Sequence, residues 1–278
     1  MVPVIEGIVE VRDAVKAARA AGKVVGLVPT MGALHDGHAR LIERCRAETG
    51  FVVASIFVNP TQFGPTEDYA RYPRTPELDN RRCASAGADL IFAPRAESMY
   101  PRGHLSTFVE VPGLSEVLEG ASRPGHFRGV TTVVLKLFSI VTPDYAYFGE
   151  KDFQQQVVIR RMVADLDLGV KIRVVPTVRE PDGLALSSRN RYFDPADRAA
   201  ATVLSAALRR AKEAVTGGER DADRVRQLLR NTIQSERRAA LDYAEVADAD
   251  TLEPLSRLTA GRRAVALLAV RIGPVRLI

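Results

Sequence analysis

The sequence predicts an α/β fold: a parallel sheet with helices on both faces, followed by a smaller α+β domain. Three observations lead there. From residue 23 to about 176, short β-rich apolar runs alternate with helical patterns, the signature of βαβ units. The alternation then stops at Pro181-Asp182-Gly183, a turn signal, and the remaining helices and strands come in separate blocks. The chain has 278 residues, 46% of them apolar, which is long for one domain and enough to bury a sizeable core without disulfides or metals.

Each element has its own justification. Residues 23–29 (KVVGLVP) are short, β-rich and stopped by Pro29, so they form a buried strand, and 51–58 (FVVASIFV) form the next. Between them Ala39, Leu41, Ile42 and Cys45 fall at helical spacing, predicting a helix over 38–49. Thr75 as N-cap and Pro76 at the first helical position open a helix over 75–86. A strand at 89–93, a long apolar helix at 127–141, a strand at 144–148, a helix near 152–165 and a strand at 171–176 continue the pattern. After a loop over 177–194 come amphipathic helices at 195–215 and 219–235, parted by Gly217-Gly218, and strands at 240–247 and 263–271. The domain boundary falls near 176–186, giving domains 1–180 and 181–278.

Composition excludes several classes. Charged residues make up 26%, an ordinary globular value. No run approaches the ~20 apolar residues of a membrane span, and Glu6, Glu10, Arg12, Asp13 and Lys16 leave no room for a signal-peptide core. Cys45 and Cys83 lack ligand-like spacing and read as reduced thiols. Residues 1–185 carry 22 basic and 22 acidic side chains, whereas residues 186–278 carry 17 and 12. The basic end could face an anion such as a nucleotide. It holds one aromatic after Phe193, Tyr243, so stacking platforms for RNA are scarce. Only six cations are Lys against 33 Arg, which gives a Lys in a candidate site added weight.

Four motifs gather at the carboxyl edge of the expected sheet, where open parallel sheets bind ligands. Met31-Gly32-Ala33-Leu34-His35-Asp36-Gly37-His38 leaves the first strand and enters a helix. Helix starts offer free N–H groups and a positive dipole to phosphate, and the two glycines allow close approach. His35 and His38, three apart, share a face and can donate hydrogen bonds to developing charge. Capping or packing is the alternative for each, and a metal site lacks a third ligand nearby. Gly149-Glu150-Lys151-Asp152 stands at another strand-to-helix junction. Lys151 would neutralise phosphate oxygens, and Asp152 is either a helix cap or a substrate contact. Gln155, on the same face as Asp152, can donate and accept. Leu186-Ser187-Ser188-Arg189 suits closure over a triphosphate or is an ordinary capped loop. Gln62, beside Phe63 in Asn59–Gly64, suits a small polar acid in a partly apolar pocket or is a simple turn.

Taken together the strings PTMGALHDGH (29–38), SIFVNPTQFG (55–64), DYARYPRT (68–75), RPGHFRGV (123–130), YFGEKDFQQ (147–155) and LALSSRN (184–190) resemble the AMP-forming pantoate–β-alanine ligases. His35 to His38 resembles the HxGH signature of the wider adenylyl-transferring superfamily. Leu186 departs from the family's usual Met but keeps its apolar volume. The resemblance implies a Rossmann-like domain over 1–180 that binds ATP and pantoate, and a lid domain over 181–278. It implies that Met31 to His38, Gly149 to Asp152, Val178 and Leu186 to Arg189 bind ATP, and that Gln62 and Gln155 hold the substrates pantoate and β-alanine. His35, His38 and Lys151 are then catalytic, with His38 as proton donor. Mg²⁺ accompanies ATP, and a metal ligand falls near Asp79, although Leu78 departs from the family pattern there. A cytoplasmic homodimer that binds no nucleic acid and no membrane is implied as well.

Overall fold

The computed structural model of the chain describes residues 1–65, 67–103 and 107–278, and divides them into two compact units, Met1–Thr177 and Val178–Ile278. In the first, β1 (Val4–Ile5) and α1 (Ile8–Ala20) precede β2 (Val25–Thr30), α2 (Asp36–Glu48) and β3 (Phe51–Ile56). Short 3-10 turns at Pro60–Gln62 and Tyr69–Arg71 lead to α3 (Pro76–Ala86) and β4 (Leu90–Phe92). Next come α4 (Ala96–Met99), α5 (Glu119–Ser122), α6 (His126–Val141), β5 (Tyr145–Gly149), α7 (Phe153–Asp165) and β6 (Lys171–Val175).

The six strands form one parallel sheet in the order β1-β4-β3-β2-β5-β6. Such strands bury both faces, which explains their unbroken apolar runs. Val28, Ala54, Ile91 and Tyr147 join Leu41, Ile42 and Cys45 of α2 and Cys83 and Ala86 of α3 in one core. The alternate residues Leu27, Val53 and Ala146 point the other way by the pleat and are equally buried. Strand order reverses between β2 and β5, so the carboxyl ends of these two strands flank a topological switch point, where α/β sheets open a ligand crevice.

In the second unit, α8 (Pro195–Ala200), α9 (Val203–Thr216) and α10 (Ala222–Gln234) precede an antiparallel sheet of β7 (Ala239–Asp248), β8 (Ala264–Ile272) and β9 (Val275–Leu277). Its core runs from Leu204, Ala207 and Ala211 through Val225, Leu229 and Ile233 to Val246, Leu268, Val270 and Ile272. The single helix expected over 195–215 is two helices. At Thr202 and Leu204 the ladder tightens to i→i+3 bonds, and the Thr202 hydroxyl bonds the Ala199 carbonyl at 2.8 Å, competing with the backbone. β1, α1 and β9 lie outside the expected elements. Among the described residues no helix is long and apolar enough to cross a membrane.

Candidate active site

The loop after β2 is held by side chains at both ends. The Thr30 hydroxyl donates to the Ser55 carbonyl at 2.7 Å and accepts from the Gly32 N–H at 3.2 Å. Gly32 (φ 81°) and Ala33 (φ 49°) then occupy the left-handed region. For Ala33 that conformation costs roughly 1 kcal/mol or more. The offset comes from Asp79, a buried carboxylate on α3 that accepts from the N–H groups of Ala33 (3.0 Å) and Leu34 (2.8 Å) and from the Thr75 hydroxyl (3.1 Å). These charge-assisted bonds are the strong kind. In this structure Asp79 anchors the loop through these three bonds. Among the described residues no three His, Cys, Asp or Glu side chains are grouped to hold a metal ion.

The two histidines cap α2 reciprocally. His35 Nδ1 accepts from the Gly37 N–H at 3.2 Å, and His38 Nδ1 accepts from the His35 N–H at 3.3 Å, with ring centroids 4.1 Å apart. A Cβ on Gly37 would lie 2.9 Å from the His35 ring, so glycine is needed there. Because each Nδ1 accepts from a backbone donor, the network assigns the proton of each neutral ring to Nε2. Burial lowers the His35 pKa to about 4, helped by the positive charge of Lys151 and Arg82. Burial lowers His38 to about 3, helped by His35 and by the same cations. With such values both rings are neutral near pH 7 and present an Nε2–H.

Lys151 acts on both histidines electrostatically, so its charge is felt at the two rings. Its Nζ lies 3.7 Å from Asp152 Oδ1. Asp152 occupies the N-cap position of α7 but makes no side-chain cap bond, which removes the capping explanation for it. Glu150 is exposed and its N–H bonds the Val175 carbonyl. A Cβ added at Gly149 would meet nothing within 4 Å. The Asp36 carboxylate pairs with Arg82 at 2.6 Å on the surface.

Gln62 ends the 3-10 turn beyond β3. Its Oε1 accepts from Asn59 Nδ2 at 3.0 Å and its Nε2 donates to Met31 Sδ at 3.2 Å. Its main-chain carbonyl accepts from His126 Nδ1 at 2.8 Å and from Arg123 Nη2 at 3.4 Å. Arg123 also forks onto both Glu67 oxygens at 2.7 Å. Burial, with Arg123 beside it, lowers the His126 pKa to about 4. Gln155 is half-buried in the first turn of α7. The neighbouring Gln154 is buried and holds the segment before α5 through Leu114, Val117 and Glu119. In the second unit Leu186 N–H bonds the Val178 carbonyl at 3.0 Å, and Ser187 Oγ caps the 3-10 turn Ser188–Tyr192 by accepting from Arg189 N–H.

The sequence signals missed Asp79 as an anchor, together with Tyr100 and His126 around the Asn59–Gln62 turn. The bonds they make join residues 41 to 64 apart along the chain. The string RPGHFRGV marks His126, but nothing in it says which turn the ring will clamp.

A Rossmann-like sheet with a helix start, two neutral imidazole donors and a lysine at its switch point defines an α/β enzyme that handles phosphates. The comparisons narrow this. The chain matches the Pantoate-beta-alanine ligase family over residues 3–278. It is 54% identical over 274 residues to the pantothenate synthetase of Moorella thermoacetica, covering 99% of this chain and 96% of that protein. It is 57% identical over 261 residues to that of Chloroflexus aurantiacus, covering 94% and 92%. The crystal structure of pantothenate synthetase from Thermus thermophilus superposes with a TM-score of 0.91 at 46% identity, covering 99% and 97%. The ligase from Francisella tularensis, solved with beta-gamma ATP and beta-alanine, gives 0.80 at 35%, covering 100% and 96%. The chain belongs to the pantoate–β-alanine ligase family, and its activity is the ATP-dependent joining of pantoate to β-alanine.

Proposed function

We propose that the ligation runs in two half-reactions at the switch point. A carboxylate oxygen of pantoate attacks the α-phosphorus of ATP, the bond to the bridging oxygen breaks, and pyrophosphate leaves with that electron pair. The amine of β-alanine then attacks the acyl carbon of pantoyl adenylate, AMP leaves, and the amine gives up a proton. No covalent enzyme intermediate is required, so the chain's work is positioning and charge stabilisation. His35 and His38 donate through Nε2–H to phosphate oxygens, and Lys151 neutralises the charge that grows there. The backbone of Met31 to His38 and of Gly149 to Asp152 receives the nucleotide, with Gly149 leaving room for close approach. Gln62 and Gln155 hold the hydroxy acid. Val178 and Leu186 to Arg189 are assigned to the nucleotide through the resemblance.

The observation that most supports this reading is the reciprocal histidine cap, which leaves two Nε2–H donors within electrostatic reach of Lys151. The relative solved with beta-gamma ATP and beta-alanine supports the choice of ligands. Mg²⁺ is assigned to the ATP co-substrate. The chain's described residues offer no dedicated cage for it, and no step is given to the ion. By the resemblance the chain works as a cytoplasmic homodimer on small molecules, with neither nucleic acid nor membrane as partner. Pyrophosphate–ATP exchange tests the order of steps. Exchange should require pantoate and proceed without β-alanine. Exchange that needs β-alanine equally would remove the two-step reading.

A further inference from the structure

Gln62 carries an amide whose two ends have opposite polarity, and which end faces substrate decides what it can recognise. The structure settles this through a chain of fixed groups. At one end of the buried Asn59 amide, Oδ1 receives the Tyr100 hydroxyl at 2.6 Å, the Thr61 hydroxyl at 3.0 Å and the Thr61 N–H at 3.4 Å. At the other end, Nδ2 meets the Gly129 carbonyl at 3.2 Å and Gln62 Oε1 at 3.0 Å. The Thr61 N–H can only donate and the Gly129 carbonyl can only accept, so Asn59 has one orientation. Asn59 then presents NH₂ to Gln62, and the Gln62 atom facing it must be oxygen. The Gln62 NH₂ is left on the side of Met31.

The main chain of the turn is held as firmly. A Cβ at Gly129 would fall 2.3 Å from the Thr61 carbonyl oxygen and 2.7 Å from Gln62 Cα, so turn and helix α6 touch backbone to backbone. His126 and Arg123 grip the Gln62 carbonyl from α6 and the residues before it. The shortest bond in the side-chain relay is the one from Tyr100. This side chain is buried at the end of α4, with its ring 6.2 Å from that of Phe57 and 5.7 Å from Lys136 Nζ.

We propose that Tyr100 is a positioning residue: through Asn59 it locks Gln62 with its NH₂ outward, so that Gln62 recognises only an oxygen acceptor of the hydroxy acid. The proposal rests on the assignment of Gln62 to pantoate. Removing the Tyr100 hydroxyl takes the shortest bond from Asn59 Oδ1. The Thr61 N–H and Gly129 carbonyl still set which way Asn59 faces, but its amide can rock and carry the Gln62 amide with it. A displaced Gln62 would misplace the NH₂ that meets the bound acid.

The test is steady-state kinetics and thermal melting of Tyr100→Phe, with Thr61→Val as a second variant that withdraws another donor from Asn59 Oδ1, and Gln62→Ala as reference. Tyr100→Phe should raise KM for pantoate about tenfold, the scale of one lost hydrogen bond to a buried acceptor, with KM for ATP within about twofold of the parent. Thr61→Val should move the same constant in the same direction by less. A merely structural role would lower the melting temperature and leave the two Michaelis constants in their original ratio, and that result overturns the relay. If Tyr100→Phe fails to fold, an unchanged pantoate KM in Thr61→Val overturns it as well. If Gln62→Ala raises KM for pantoate and Tyr100→Phe does not, the relay alone falls. If Gln62→Ala leaves that constant unchanged, the assignment of Gln62 falls first and takes the relay with it.

Discussion

His35 and His38 show how one residue type changes its chemistry with its surroundings. A free imidazole titrates at 6.5, but these two stay neutral down to about 4 and about 3. As donors they need no protonation event, so turnover should show no histidine inflection between about pH 6 and 8. A pH profile of kcat/KM checks this, and an inflection near 6.5 that vanishes in His38→Gln would contradict it. The same shifts make a stability prediction. Below pH 6.5 the unfolded chain's histidines bind protons, whereas His35, His38 and His126 in the folded chain refuse them until about pH 4 or lower. The unfolded state then holds more protons, so stability is full above 6.5 and falls as pH falls. Partial exposure of the His35 and His38 rings softens the loss. Urea unfolding between about pH 6.5 and 5, above the range of most carboxylates, should show a declining midpoint, and a flat midpoint would remove the claim.

At the scale of elements, Asp79 ties the start of α3 to the loop that precedes α2. Asn in its place keeps the shape but turns an NH₂ toward one of two N–H donors. The expected cost of Asp79→Asn is about 1–3 kcal/mol, with a raised KM for ATP because the 31–35 loop loses its shape. Urea melts and kinetics at two Mg²⁺ concentrations measure both. Rescue by high Mg²⁺ would support a metal-ligand role for Asp79, whereas loop anchoring alone predicts none. This element also shows what is legible from sequence. Thr75 and Pro76 announce where α3 begins, because start signals are local. That Asp79 will face Ala33, 46 residues away, depends on tertiary packing and has no local signature. The histidine cap is equally hidden, since capping boxes are normally read from Ser or Thr followed by Glu or Gln. In contrast, α1 was readable: Val11, Val15 and Ala18 lie at four- and three-residue spacing and are all buried. The break after Ala200 carries no Gly or Pro, and only a threonine hydroxyl marks it.

At the scale of the whole molecule, the alternation of strands and helices stops where the first unit ends, and each unit has a core cluster of its own. The core of the second contains only residues from Leu184 to Leu277, and the sheet core built on α2 and α3 only residues from Val2 to Tyr147. The second unit also pairs several of its charges internally. Arg226, nearly buried, pairs with Glu245 and Asp223 and donates to the carbonyls of Val246 and Leu255, so its cation stitches α10 to β7. Several of the arginines beyond residue 185 are thus structural, as with Arg238 on Asp197 and Arg262 on Asp248. A fragment of residues 178–278 should therefore fold alone and melt cooperatively by circular dichroism, and so should 1–177. A fragment 178–278 without a cooperative transition would mean that its core depends on the other unit. If both fold, the division of labour can be measured. Fragment 1–177 holds His35, His38, Lys151 and both glutamines, yet lacks the Leu186 to Arg189 segment. Its pyrophosphate–ATP exchange should fall by at least about a hundredfold, the scale of one lost preorganised charge contact. Exchange at the rate of the whole chain would show that Arg189 and its neighbours take no part in adenylate formation.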